Sequence, residues 1–268
     1  MRKVIHFFKT PKGLLTILLV VLTAIAAPGE GVAPVALSMG AAVLAAGIVD
    51  LIILRLRKSA WEYPSGAVLT AMIVVMVVRA QEPWYVATVT SVVAVLSKYA
   101  FRTRQANVFN PAAFALVLMF YLLPHGQSWW GALPDVTPLW LRAVLLVGGV
   151  YLTNRVNKLP LVLAFLGAYF CLFTATAYLG DARHLAEIFR SPDVDAVIYF
   201  TLVILTDPPT SPAKYSGQWL FGILAAAFSY AVFMLFGAVY FLLAGVLVAN
   251  VWEAWRRVRL RSRRARVA

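Results

Sequence analysis

Apolar stretches return ten times along this chain, separated only by short polar breaks. They fall at 14–28, 33–54, 65–79, 83–101, 110–124, 138–153, 159–179, 194–206, 217–235 and 238–253. A helix that crosses a bilayer needs roughly 20 apolar residues. Inside lipid every backbone N–H and C=O must find a partner within the protein, which leaves helices or closed barrels. Continuous apolar runs of this length suit helices. The expected fold is therefore an all-α polytopic membrane protein of about ten transmembrane segments. The third, fifth and eighth segments are too short for a straight crossing. Short apolar segments interrupted by Pro or Gly point to discontinuous helices that line an internal site.

The charge fits the same picture. Of 268 residues, 62% are hydrophobic and 13% charged, yet 24 Lys+Arg against 11 Asp+Glu leave a net charge of +13. A soluble domain is about half apolar and about a quarter charged, so an ordinary soluble enzyme and a disordered chain are both excluded. A nucleic-acid partner would explain the cations but not the apolar bulk. If the segments alternate across the bilayer, the loops on the side of the N-terminus hold Arg2, Lys3, Lys9 and Lys12; Arg55, Arg57 and Lys58; Lys98, Arg102 and Arg104; Arg155 and Lys158; then Lys214. The tail adds Arg256, Arg257, Arg259, Arg261, Arg263, Arg264 and Arg266, which brings that side to 20 of the 24 cations. Only Arg79, Arg142, Arg183 and Arg190 fall elsewhere, while the opposite loops carry Glu30, Glu82, Asp135, Asp181, Glu187, Asp193 and Asp195. Cytoplasmic loops are the basic ones, so ten crossings with both termini cytoplasmic are expected. The basic start, Met1 to Gly13, is then the entry to the first span rather than a cleaved leader. The tail, 254–268, reads as an anchor on anionic lipid or as a dock for an acidic partner.

The chain reads as one membrane domain over 1–268, with a first five-helix repeat at about 14–124 and a second at about 138–253. Ser65–Thr70 and Val194–Ile198 open corresponding short segments, and the fifth and tenth segments are both rich in small residues. An odd number of crossings per repeat makes the second copy inverted, and such folds place a ligand at the repeat interface. Gly and Ala at 38–47 and 222–227 would permit close helix packing. Cys171, in an apolar run, is expected to be a small buried hydrophobe. The histidines, His6, His125 and His184, lie in terminal or loop regions and supply no haem-ligating helix pair. No phosphate-binding Gly-rich signature and no hydrolytic triad is present, and neither a catalytic residue nor a metal ligand set is expected.

Three polar groupings stand within the apolar part. Asn110 can cap the fifth helix with Pro111 at its first position, a purely structural use, and a helix start in the bilayer also offers N–H groups to an anionic or carbonyl-bearing ligand. Thr206, Asp207 and Thr210 lie where three prolines stop the eighth segment, with unpaired carbonyls expected nearby. Asp207 is either a loop residue that caps or pairs with Lys214, or a functional group. Asp50 is expected to pair with Arg55 or Arg57, and Asn250 to bond to a neighbouring helix.

Tyr63-Pro-Ser-Gly-Ala-Val-Leu-Thr70, Glu82-Pro-Trp84, Lys98-Tyr-Ala-Phe-Arg102 and Val108-Phe-Asn-Pro-Ala-Ala-Phe114 together resemble the first half of RnfD and NqrB, membrane subunits of redox complexes. In the second half, Leu205-Thr-Asp-Pro208 with Thr210-Ser-Pro212, then Gly217-Gln218 and Leu247-Val-Ala-Asn250, resembles the same family. The resemblance implies a urea-transporter-like inverted repeat in a bacterial-type inner membrane. It also implies a flavin, FMN or riboflavin, at the repeat interface, and transmembrane electron transfer alongside other membrane or soluble redox subunits. It implies cofactor contacts from Ser65, Thr70, Phe109, Asn110, Pro111, Thr206, Asp207, Thr210 and Asn250. In the family, FMN is attached to a Thr in Ser-Gly-Ala-Thr, in the outer loop between the halves. This chain departs there: Ser65-Gly66-Ala67 continues with Val68, and the outer loop offers only Thr137. A non-covalent flavin is the expectation, with Thr137 the candidate acceptor if a covalent link forms. The competing expectation is a channel or carrier for a small neutral or flavin-like solute.

Overall fold

The computed structural model describes residues 7–57, 63–103, 106–137, 139–180 and 187–265. Among them are ten α-helices, one for each apolar stretch. These are α1 (Pro11–Glu30), α2 (Val32–Leu56), α3 (Ser65–Val77), α4 (Trp84–Ala100), α5 (Pro111–Leu122), α6 (Ala143–Arg155), α7 (Leu159–Leu179), α8 (Asp193–Tyr199), α9 (Tyr215–Phe236) and α10 (Phe241–Ala265). The protein is an all-helical, multi-pass membrane protein. Four helices, α1, α2, α7 and α9, are both long and apolar enough to cross a bilayer. The three expected short segments are short: α3 has 13 residues, α5 has 12, and α8 has 7 before a five-residue π-helical turn, Phe200–Ile204. At about 1.5 Å per residue, 13 residues rise only ~20 Å of a ~30 Å hydrocarbon core.

Local chemistry sets the ends. Thr10 caps α1, its side chain accepting from Gly13 N, with Pro11 opening the helix. Gly31, at φ 96°, stops α1 in a conformation that a side chain would strain. Gly237, at φ 56°, closes α9 in the left-handed form common at helix ends.

The two halves pack in parallel ways. In the first, α4 lies along α2 and against α5; in the second, α9 lies along α7 and against α10. Across the seam α1 meets α6 and α5 meets α10. The expected small-residue packing is clear at Gly222, where a Cβ would come within 2.7 Å of Leu161 O and 2.9 Å of the Ala164 Cβ. Gly245 brings α10 equally close to α9, at 2.6 Å from Ala225 O. In the first half it is Ala42 and Ala46 that are fully buried, while Gly40 faces open space. Such close approach lets dispersion contacts hold helices together where lipid removes much of the hydrophobic drive. On α7 the buried stripe is Leu161, Phe165, Tyr169 and Phe173, at four-residue spacing. Cys171 lies off that stripe and is exposed, contrary to the expectation of burial.

The helix ends sort into two groups, as an alternating path requires. At one end, Lys158 bonds the 211–212 carbonyls, Gln218 bonds Asn157 O, and Arg257 reaches Pro209 O. At the other, Gln81 meets Glu30, Gly126 N meets Glu82, and Arg142 meets Asp195. The first group is the basic end. The basic tail continues the last span: α10 runs on as helix to Ala265, with Glu253 (2% exposed) held by both Arg256 and Arg257. His6, His184, Arg2, Lys3, Lys58, Arg104, Asp181 and Arg183 lie outside the described residues.

Candidate functional site

Two interrupted helices, α3 and α8, leave backbone groups that must be satisfied in the interior. At the basic end the break after α8 is closed by side chains. Asn110 does three things at once. Its Oδ1 accepts from Ala113 N at 3.1 Å, capping α5. Its Nδ2 donates to Ile204 O at 3.2 Å, at the end of the π turn. Its backbone N donates to Asn250 Oδ1 at 2.8 Å, and Asn250 Nδ2 donates to Thr210 O at 3.4 Å. The capping reading of Asn110 and Pro111 therefore holds, and so does the interhelical bond of Asn250. Four of the expected site residues, Asn110, Pro111, Thr210 and Asn250, are buried in one knot that ties α5, α8 and α10 across the seam.

The loop after α8 folds on itself. Thr210 Oγ1 donates to Asp207 Oδ2 at 2.9 Å, Ser211 Oγ donates to Asp207 O at 2.7 Å, and Thr206 Oγ1 turns back to Leu202 O. Its carbonyls are not unpaired, as expected from the sequence, but held by cations. Arg257 donates to Pro209 O at 2.7 Å and Ser211 O at 2.8 Å, and Lys158 Nζ donates to Pro212 O at 2.5 Å. Lys158 is 3% exposed, and the expected Asp207–Lys214 ion pair is not formed among the described residues. Sequence reasoning counted Lys158 only as a loop cation and Arg257 only as a tail cation, and nothing in their neighbours marks them as clamps. Burial pushes the Asp207 carboxyl up to about 6, against the opposing pull of the Thr210 hydroxyl, Lys158, Lys12 and Arg257. Burial, helped by the nearby Arg257 charge, lowers Lys158 to about 8.

The remaining expected residues stand apart from the knot. Phe109 stacks on Phe114 (5.4 Å, 27°) and meets Phe101 edge-on. Thr70 Oγ1 bonds back to Gly66 O, and Ser65 opens α3. Asp50 is ion-paired, but with Lys98 Nζ (2.9 Å) rather than with Arg55 or Arg57, and the Tyr99 hydroxyl donates to it at 2.6 Å. Lys98 and Tyr99 end a helix packed alongside α2, a tertiary neighbourhood that proximity in sequence does not reveal.

At the opposite end the break after α3 is closed by backbone. The loop 126–136 turns inward through two left-handed residues, Trp129 and Leu133. Ser128 N and Trp129 N donate to Val77 O, Arg79 N donates to Gly126 O, and the Trp130 indole donates to Val75 O at 2.8 Å. Gly131 is needed for the close approach: a Cβ there would lie 2.7 Å from the Met76 Cβ. Above this plug lies a cavity of about 550 Å³, lined by Glu30, Arg79, Gln81, Ser128, Trp130 and Asp135 among others. Ser128 Oγ and both side-chain amide atoms of neighbouring Gln127 are buried without a partner. Thr137 is exposed, one residue beyond Val136 in the cavity wall, and a 3-10 turn (Leu139–Arg142) separates it from α6.

These features define a polytopic helical protein with two interrupted spans and a polar cavity at the non-basic end. Residues 10–142 match the model of the NQR2, RnfD, RnfE family. Over 107 residues the chain is 32% identical to the D subunit of the ion-translocating oxidoreductase complex of Haemophilus influenzae strain ATCC 51907 / DSM 11121 / KW20 / Rd. It is 31% identical to the protein of the same description from strain PittEE. Each alignment takes in 40% of this chain and 27% of the relative, so the chain matches about a quarter of these relatives' length. The α8–α10 motifs that contribute to the knot lie beyond the matched segment.

Proposed function

We propose that the chain is an RnfD/NqrB-like membrane subunit that binds a flavin without a covalent link and takes part in transmembrane electron transfer. The family match supports the class of protein. The observation that carries the flavin reading is the cavity of about 550 Å³ with the unpartnered Ser128 hydroxyl in its wall. A buried polar group without a partner costs free energy unless a ligand or water completes it. A flavin mononucleotide needs a flat apolar wall, ring hydrogen bonds and a cation for its phosphate. Trp130, the Ser128 and Gln81 side chains and Arg79 are of those types. At the knot, by contrast, the polar atoms of Asn110 and Asn250 already bond neighbouring groups, so its expected contribution is to fix the seam beside the site. The flavin would supply reversible one- and two-electron chemistry, and the protein its position and electrostatic surroundings.

In this reading the chain is one membrane unit of two inverted five-helix repeats. The matching pairs α2/α4 and α7/α9, and the seam contacts α1/α6 and α5/α10, support that arrangement. The basic end faces the cytoplasm of a bacterial-type inner membrane, and the relatives' description as members of a complex supports partners that donate and accept the electrons. A visible spectrum of the purified protein, followed by acid precipitation, tests the reading. Flavin released into the supernatant is expected. Flavin retained in the pellet would make the link covalent, with Thr137 the residue to map. A colourless protein that takes up no added flavin overturns the reading.

A further inference from the structure

Helices α1 and α6 touch where Gly148 meets Leu18, and beside that contact they leave an open apolar groove of about 490 Å³. Its walls include Ile17, Val21, Val144, Val147 and Tyr151, and Ile17, Val21, Val147 and Tyr151 are exposed. No polar side chain other than the Tyr151 hydroxyl and the Trp140 indole lines it. The groove therefore offers nothing to a polar solute and suits an aliphatic chain.

One end of the groove is chemically distinct. On α6 the lining residues Val144, Val147, Gly148, Tyr151 and Leu152 follow a three-and-four spacing, and the next position in that stripe is Arg155. Arg155 is exposed and has no carboxylate within 4 Å among the described residues. Lys9 and Lys12, both exposed, flank the start of α1 at the same basic end. The opposite end carries Trp140, 68% exposed, an indole of the kind that sits at a membrane interface. From Ala143 to Arg155, α6 rises ~18 Å, about the reach of one extended acyl chain. The groove thus has the length of a single acyl chain, with unpaired cations where the headgroup of that chain would lie.

We infer that the α1/α6 seam is a specific site for an anionic phospholipid of the leaflet at the basic end, its acyl chain in the groove and its phosphate at Arg155 and Lys12. A lipid here would bridge the two halves of the chain at one of their seam contacts. Two exposed positions test it, because changing them leaves the core untouched. Arg155→Gln removes the headgroup cation, and Val147→Trp fills the groove. The full chain, purified in detergent, is titrated with phosphatidylglycerol and with phosphatidylcholine, and bound lipid is counted by native mass spectrometry. Ile48→Trp, at another exposed apolar position on α2, is the control. The expected result is one phosphatidylglycerol per chain in the wild type and the control, with phosphatidylcholine far weaker. Retention should fall about fivefold in Arg155→Gln, the worth of one cation at an anionic surface, and be lost in Val147→Trp. Equal retention of the two lipids overturns the proposal, and so does wild-type retention in either variant.

Discussion

The two interrupted helices solve one problem in opposite ways. Behind α8 the freed carbonyls are met by side chains from other helices: Asn110, Asn250, Arg257 and Lys158. Behind α3 they are met by a loop that dips inward, its backbone and the Trp130 indole bonding the last carbonyls. The first closure is a knot across the seam between the halves. The second leaves a cavity above it, with Ser128 and Gln127 unpartnered. Side-chain closure uses up the polar groups of Asn110 and Asn250. Backbone closure leaves side chains to spare, and spare polar groups beside a cavity are what a ligand needs.

Breaking the knot should have the largest effect. Asn110→Ala removes a helix cap, worth about 1 kcal/mol, and leaves Ile204 O buried without its side-chain donor, at about 1–3 kcal/mol. The Asn110 backbone N–H remains, so the bond to Asn250 Oδ1 survives. A loss of about 3 kcal/mol in unfolding free energy is expected, read by denaturant titration in detergent. A loss under ~0.5 kcal/mol would mean the knot does not hold the seam. Trp130→Phe should come next. It keeps most of the ring volume but deprives Val75 O of its donor, a cost of about 1–3 kcal/mol. Unlike Asn110→Ala, it should also weaken flavin uptake, because the plug is the cavity floor.

Arg79→Gln sharpens the comparison from the other side. Arg79 is exposed, so stability should change by no more than ~0.5 kcal/mol. Affinity for FMN should fall about tenfold, near 1.4 kcal/mol, and affinity for riboflavin, which has no phosphate, should hardly move. The smallest effect is one of pH. The Asp207 carboxyl titrates near 6 in the folded chain, above its ordinary 3.8. The folded state therefore holds that proton more tightly than the unfolded state. The associated stability is complete below pH 3.8 and is lost as pH rises through 6. Asp207→Asn should flatten the stability change between about pH 4 and 6.

Much of this was legible in the residues. Each helix follows from an apolar stretch, because lipid demands continuous helical backbone. The Asn110 cap follows from an Asn-Pro pair before a helix, and the short third, fifth and eighth segments follow from length alone. Choice of partner was not legible. Asp50 passes over Arg55 and Arg57 for Lys98, because α4 packs along α2. Lys158 counts as an ordinary loop cation and Arg257 as a tail cation until the fold brings the proline-rich loop to them. The plug was invisible for a different reason: 125–137 has neither helical nor strand period, and its inward turn depends on left-handed residues and on Gly131 fitting against Met76. Cys171 shows the limit of reading burial from hydropathy in a membrane protein, where apolar side chains face lipid as readily as the core.

The central claim is that the spare polar groups, and not the knot, bind the ligand. FMN binding by the purified wild type, Arg79→Gln and Asn250→Ala, followed by flavin fluorescence at a temperature where all three are folded, tests it most directly. The account predicts normal binding in Asn250→Ala and about tenfold weaker binding in Arg79→Gln. Flavin lost from Asn250→Ala, with Arg79→Gln binding as the wild type does, would contradict it and move the ligand to the seam.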